Sequence, residues 1–336
     1  MNFYTLTFKR KIYLSFLLLF SLMVTFDVAL LFIADLKTTK ENFIDDKFSK
    51  IKHFKLNNDS NKDVIFIGSS RTFYHISTNT MKRNGIDAYN LGISGAQFED
   101  YPTLVNSVIE YKPKKIVISL SVERLYDDLN TPLFSTTKEL ELLYEINKVK
   151  FMESAFAWML NRHAFLNYSD VIFYKLKSFY YSFDSKMIVK TQNNFPDSNN
   201  LNYSNLVGCK VFNKKQIEDK AILLKCENGD GVLIGNYLKE YETKSVTLKN
   251  LDEESITYLA KIVEGIKLNG IKPIIILEPI LHNRYVYDLK KIKSAFNDEI
   301  IDLTNFTISD ELWLDNEHLN YLGREKYSSF LAHLLK

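Results

Sequence analysis

Three short stretches of this chain are apolar without alternation: Asp63-Val64-Ile65-Phe66-Ile67, Lys115 to Leu120 (KIVISL) and Lys272 to Leu277 (KPIIIL). A strand that is apolar at every position has both faces covered, which is the habit of parallel sheets. Two weaker stretches, Ile86 to Leu91 after the turn Asn84-Gly85 and Glu299 to Leu303, read as further strands. Helical patterns lie between them. One carries Tyr101, Leu104, Val105 and Val108 on a single face. A second starts at the capping residue Asp252, buries Ile256, Leu259, Ala260, Val263 and Ile266, and stops at Asn269-Gly270. The last carries Tyr327, Phe330, Leu331 and Leu334 on one side. This alternation predicts an α/β fold: a three-layer α/β/α sandwich around a five-stranded parallel sheet. Sites in such sheets lie at the carboxyl ends of the strands.

The N-terminal segment follows another logic. From Ile12 to Ile33 the chain runs IYLSFLLLFSLMVTFDVALLFI. A helix needs about 20 apolar residues to cross the hydrocarbon of a bilayer. The run has no small-x-small cleavage site, so it reads as an uncleaved signal anchor. Lys9, Arg10 and Lys11 precede it, and mixed charges (Asp35, Lys37, Lys40, Glu41) follow. The positive-inside bias therefore puts residues 1–11 in the cytoplasm and the rest outside, in the periplasm or at the cell surface. Asp27 interrupts the span. It reads either as a contact with a multi-pass membrane partner or, preferably, as a neutral carboxyl tolerated in a single anchor.

The expected organisation is a cytoplasmic tail (1–11), a transmembrane anchor (12–34), a polar linker (35–60) and one domain (61–336). A long insertion at about 129–250 is read as a helical cap. Aromatic residues crowd it, among them Phe151, Phe156, Trp158, Phe165, Tyr168, Phe173 and Tyr180. They are read mainly as the cap's own core, with a membrane-facing or sugar-stacking surface as the alternative. The net charge of +2 points to no nucleic-acid partner. Cys209 and Cys226 form one disulfide or remain two thiols; nothing near them suggests zinc, and no metal or cofactor is expected.

Three motifs fall at expected strand ends. Gly68-Ser69-Ser70-Arg71 follows the first strand. A small residue before a serine at a strand-to-helix turn lets the hydroxyl project, with backbone N–H groups beside it to face an oxyanion. Asn90-Leu91-Gly92-Ile93-Ser94-Gly95 follows the second, and its glycines permit close backbone approach and positive φ. Asp315-Asn316-Glu317-His318 precedes the last helix. A histidine three residues after an aspartate on a loop can take a serine proton while the carboxylate holds its tautomer.

Taken singly, each is common. Together, in this order, they resemble the SGNH/GDSL hydrolase superfamily over the segment from Asp63 to the C-terminus, which implies a flavodoxin-like sandwich. The start Gly-Ser-Ser-Arg, the long insertion and the end Leu314-Asp315-Asn316-Glu317-His318-Leu319-Asn320 look most like its membrane-anchored branch of proteins that acylate cell-envelope polysaccharides and teichoic acids. The resemblance implies Ser70 as nucleophile, His318 as base and then acid, and Asp315 as its orienter. Gly95 and Ser70 would supply oxyanion N–H groups, with Gly92 and Arg71 lining the site. The family's asparagine after the third strand has no counterpart, because Glu123 stands there. An ionised carboxylate cannot donate a hydrogen bond and repels an oxyanion. Either Arg71, Arg124 or Ser121 compensates, or Glu123 binds an acceptor or pairs an arginine, or the site is a weak catalyst. His53, His75, His163, His282 and His333 match no partner pattern and read as ordinary histidines, while Glu278 is read as a residue that lines the cleft.

The favoured function is an O-acyltransferase, most simply O-acetyl, that modifies a cell-envelope polysaccharide through a Ser70 acyl-enzyme. A multi-pass membrane acyltransferase is the expected acyl donor. The alternatives are an extracytoplasmic esterase or deacetylase with the same triad, and a non-catalytic envelope subunit that keeps the fold.

Overall fold

The computed structural model describes residues 8–35, 38–40, 43, 45–57, 62–132, 136–161, 209–217, 221–234, 245–296 and 299–336. Two compact units are distinguished, residues 1–37 with 158–201 and residues 38–157 with 202–336.

The described part of the first unit is chiefly helix α1, Phe8–Asp35, of 28 residues. At 1.5 Å per residue it is about 42 Å long. Tyr13, Phe16, Leu17 and Phe20 are exposed along it. No helix is long and apolar enough to cross a membrane among the described residues. The side chains of residues 27, 28 and 30–35 lie outside that set, and the expected anchor runs through them.

The second unit is an α/β domain. Its helices are α2 (Lys47–Asn57), α3 (Ser70–His75), α4 (Thr78–Arg83), α5 (Tyr101–Ile109), α6 (Thr137–Ile146), the start of α7 (Lys148–Asn161), α8 (Glu253–Leu268), α9 (Leu289–Ala295) and α10 (Tyr321–Leu334). Its strands are β1 (Val64–Ile67), β2 (Ala88–Asn90), β3 (Lys115–Leu120), β4 (Cys209–Ile217), β5 (Ala221–Cys226), β6 (Gly231–Ile234), β7 (Val246–Thr247), β8 (Lys272–Leu277), β9 (Tyr285–Val286) and β10 (Ile300–Asp302). The main sheet has five strands in the order β10-β8-β3-β1-β2, and every pair in it is parallel. All five expected strands are present, the third and fourth with the expected bounds.

The uninterrupted apolar runs are explained by two hydrophobic clusters, one on each face. Ile65 and Ile67 of β1 point into a cluster with Tyr101, Leu104 and Val108 of α5 and Leu259, Val263 and Ile266 of α8. Val64 and Phe66 point the other way, toward Met81 of α4 and Tyr327 and Leu331 of α10. Asp252 caps α8 as expected, its carboxylate accepting the Ser255 N–H at 2.7 Å. The face of α10 differs from the expected one: Phe330 and Leu334 are exposed, and Arg324, Tyr327, Ser328, Leu331 and Ala332 are buried. That stripe keeps the helical spacing of three and four but admits polar residues that have buried partners.

The insertion is only partly helical. After α6 and α7, β4, β5 and β6 form an antiparallel sheet in which Cys209 and Cys226 are disulfide-bonded. The turn Asn228-Gly229, with Gly229 at φ +86°, reverses the chain between β5 and β6. This hairpin signal lies in a segment expected to be helical. The aromatics between 162 and 208 lie outside the described residues. The expected linker also holds structure: α2 buries Lys47, Lys50, His53 and Phe54. Lys47 meets Asp100 and Glu139, both at 3.1 Å. Lys50 donates to the carbonyls of Asn90 and Gly229 and stacks over Phe73 at 4.2 Å.

The order of strands reverses at β1 and β3. From β1 the chain moves outward to β2, then crosses back to β3. The crevice at such a switch point is where α/β sheets place their sites.

Candidate active site

Gly68 follows β1, and a side chain there would collide with Thr72 Oγ1 at 1.8 Å. The chain can therefore turn directly into α3. Ser69 spends its side chain on the helix start, where it accepts the Arg71 N–H at 3.4 Å. Ser70, the first residue of α3, is half-buried and projects its hydroxyl toward the last loop. Of the two serines, only Ser70 faces a base: its Oγ lies 2.9 Å from His318 Nε2.

The loop before α10 is built around Asp315. Oδ1 accepts the backbone N–H groups of Glu317 and His318, each at 2.8 Å. Oδ2 lies 3.0 Å from His318 Nδ1. The bridge between Trp313 and Leu319 and the bond from Leu314 N–H to the His318 carbonyl at 2.8 Å close the loop below. Burial pushes the Asp315 carboxyl up, but the hydrogen bonds and charge of His318 and the two N–H groups outweigh it, leaving it below its ordinary value. An ionised Asp315 favours a proton on Nδ1, which leaves Nε2 as the acceptor for the Ser70 hydroxyl.

Asn90, fully buried at the end of β2, ties the second motif to α3. Its Nδ2 donates to the Thr72 carbonyl at 2.8 Å and its Oδ1 accepts the Gly92 N–H at 2.8 Å. Gly92 is thus a packing glycine rather than a donor to the cleft. A side chain on it would press on Phe73 N at 2.5 Å. Gly95 has φ +80° and is exposed. Neither its N–H nor that of Ser70 is taken by a backbone acceptor among the described residues. Ser94 donates its N–H to Asp45, at 3.3 Å to Oδ2.

Glu123 lies in the short 3-10 turn Val122–Leu125 that follows β3. The buried guanidinium of Arg71 stands before it, 3.8 Å from Glu123 Oε1 and 3.6 Å from Glu317 Oε2, and it donates to Ser121 Oγ. Arg124 is directed elsewhere, to Glu99 at 2.8 Å and Asp127 at 3.1 Å. Of the roles open to Glu123, the geometry matches pairing with an arginine, Arg71, which also donates to Ser121.

Two residues lie at the site beyond those expected, Tyr74 and His75, beside Glu278, which is read from the sequence as a cleft residue. Tyr74, one helical turn after Ser70, sets its ring edge-on to His318 at 5.4 Å, and burial pushes its hydroxyl up to about 12. Glu278, 3% exposed at the end of β8, accepts the Thr72 hydroxyl at 2.8 Å. Burial raises its carboxyl above the ordinary value, against the pull of Arg71 and Thr72. His75, read as an ordinary histidine, is 1% exposed beneath the His318 loop. Of the two unexpected residues, Tyr74 alone has a legible signal, its i+4 spacing from Ser70. His53 is internal as well, its Nδ1 2.5 Å from Tyr89 Oη. His282 pairs with Asp310 at 3.2 Å, and His163 lies outside the described residues. No three His, Cys, Asp or Glu side chains gather as metal ligands among the described residues.

Chemically, the arrangement offers a hydroxyl within hydrogen-bond reach of an imidazole, a carboxylate behind that imidazole, and one guanidinium between two carboxylates at the rim. No family model matches this chain, and no curated protein or solved structure matches it.

Proposed function

We propose that this chain is a membrane-anchored, SGNH-type Ser-His-Asp acyltransferase, most simply an O-acetyltransferase, acting on a cell-envelope polysaccharide. The observation that carries the reading is the continuous relay from Ser70 Oγ to His318 Nε2 at 2.9 Å and from His318 Nδ1 to Asp315 Oδ2 at 3.0 Å. Its place at the strand-order switch of a parallel sheet, as in a three-layer sandwich, supports it further.

In this reading Ser70 Oγ attacks the acyl carbonyl while His318 Nε2 takes the hydroxyl proton. The N–H groups of Ser70 and Gly95 face the oxyanion, and Arg71 offsets Glu123 and Glu317 so that no uncompensated anion opposes it. His318 then returns the proton to the leaving group. In the second half a sugar hydroxyl gives its proton to His318 and attacks the acyl-serine, and Ser70 leaves with that proton. A multi-pass membrane protein would present the acyl group. The extracytoplasmic placement rests on the Ile12–Ile33 run with its basic flank, and the Cys209–Cys226 disulfide agrees with an oxidising compartment.

The test compares O-acetyl content of the envelope polysaccharide in cells carrying wild-type or Ser70→Ala protein. Equal content in both would refute the assignment. Hydrolysis is the second reading, favoured by the partial exposure of Ser70 and His318, which lets water reach the acyl-enzyme. Rapid turnover of p-nitrophenyl acetate without transfer to added oligosaccharide would select it.

A further inference from the structure

His75 closes α3, the helix that Ser70 opens. Its ring is buried among three others: Trp313 at 6.0 Å, Tyr327 at 6.0 Å and His318 itself at 6.4 Å, all near-perpendicular. Packing alone would account for those contacts. Its Nε2 does something more specific. It lies 3.0 Å from the carbonyl oxygen of Glu317 and 3.1 Å from the N–H of Leu319, the residues on either side of His318. As N–H it donates to Glu317; as a bare nitrogen it accepts from Leu319. In either tautomer the backbone at His318 is pinned from below. The His75 carbonyl in turn accepts the Ser328 hydroxyl of α10 at 3.1 Å, so the pin is itself anchored.

One short helix thus carries both the serine and the support of its base. We propose that His75 is a positioning residue that fixes the backbone around His318 and so holds His318 Nε2 on Ser70 Oγ. The proposal rests on the reading of Ser70 as an acylated nucleophile. Burial also holds the His75 imidazole well below the usual histidine range. It therefore stays neutral and adds no second cation beside His318 when that ring takes the serine proton.

The test is the rate of Ser70 labelling by a fluorophosphonate, measured against pH on the full-length protein in detergent. Four proteins are compared: wild type, Ser70→Ala, His75→Phe and His75→Gln. Phenylalanine keeps the ring packing and loses the nitrogen. Glutamine places an amide where Nε2 stood and can serve either backbone partner. His75→Phe is expected to label at least about tenfold more slowly, as small misplacements of reacting groups do. The pH midpoint of its labelling moves down, because a loosened Asp315–His318 contact supports the imidazolium less. His75→Gln recovers to within about threefold of wild type. Wild-type rate and midpoint in folded His75→Phe would overturn the proposal. Should His75→Phe not fold, His75→Asn replaces it: its shorter amide reaches only the Nδ1 position, and equal labelling of the Asn and Gln variants overturns the proposal. A folded wild type that resists labelling at Ser70 refutes the nucleophile reading instead, a separate outcome.

Discussion

Asp315 both holds its loop and faces the base, and the change Asp315→Asn weakens the second task more than the first. Oδ1 holds the loop by accepting the Glu317 and His318 N–H groups at 2.8 Å each. Oδ2 faces His318 Nδ1 at 3.0 Å, and Oδ1 lies 3.1 Å from the same nitrogen. An asparagine has only one oxygen. If that oxygen takes the loop position, the amide NH2 replaces Oδ2 at Nδ1 and favours the tautomer with its proton on Nε2, against which the retained oxygen, 3.1 Å from Nδ1, competes. A ring in that tautomer donates to Ser70 and cannot accept its proton. If the amide flips, its NH2 opposes two backbone N–H groups. Two such bonds are worth about 1 kcal/mol each. The loop therefore biases the amide toward the unproductive orientation by about 2 kcal/mol, roughly thirtyfold. Labelling of Ser70 by a fluorophosphonate should fall by up to about that factor from the tautomer alone. It should fall toward about 10⁴-fold if loss of the charge behind the imidazole also counts, as it does in serine protease triads. Stability follows a different course. The carboxyl sits below its ordinary value of 3.8 in the fold, so its contribution is present above that value and lost as pH falls through the lowered one. The stability deficit of Asp315→Asn should thus shrink in strong acid. Labelling of a folded Asp315→Asn protein within about threefold of wild type would refute the loop-locked tautomer.

Three further outcomes follow from the same contacts. Arg71→Met leaves Glu123 and Glu317 uncompensated beside Ser70 and should slow labelling by about tenfold or more; adding Glu123→Gln should recover part of the loss, and no recovery would mean that the two do not act as a pair. Glu278 has its carboxyl raised above 4.5 by burial, so folding favours its protonated form and the protein loses stability as pH climbs from 4.5 through the raised value. Urea unfolding of Glu278→Gln at pH 5 and pH 8 should therefore show a smaller drop than wild type, and an equal drop would show that the group ionises without penalty. Replacing Cys209 and Cys226 by serine opens a link between positions 17 apart in sequence, which should cost about 3 kcal/mol of stability on chain-entropy grounds. Urea titration reads that loss, and labelling of the folded variant should stay at the wild-type rate.

What is legible in the sequence is whatever a local pattern dictates. β3 and β8 can be placed to the residue because burial on both faces removes every polar interruption. Asp315 and His318 stand out because four consecutive residues of one tight loop hold both groups. The antiparallel sheet of β4, β5 and β6 escapes a helical reading of the insertion although Asn228-Gly229 marks its turn, because the helical segments before it dominate the local pattern. His75 is illegible for a deeper reason. Five residues on from Ser70, it lies on another side of α3, and its partners Glu317 and Leu319 are more than two hundred residues away. Glu123 shows how such distant contacts change what a residue means locally. On the sequence it is a defect, an anion where a donor belongs. In the fold it shares the Arg71 guanidinium with Glu317, 194 residues further along the chain, and the same arginine donates to Ser121. The chemistry at that corner is therefore a property of a cation held among two carboxylates and a hydroxyl, not of any one residue's type. In the proposed mechanism a carboxylate at position 123 is compatible with an oxyanion only while that cation stays, so the effect of Glu123→Gln should depend on whether Arg71 is present.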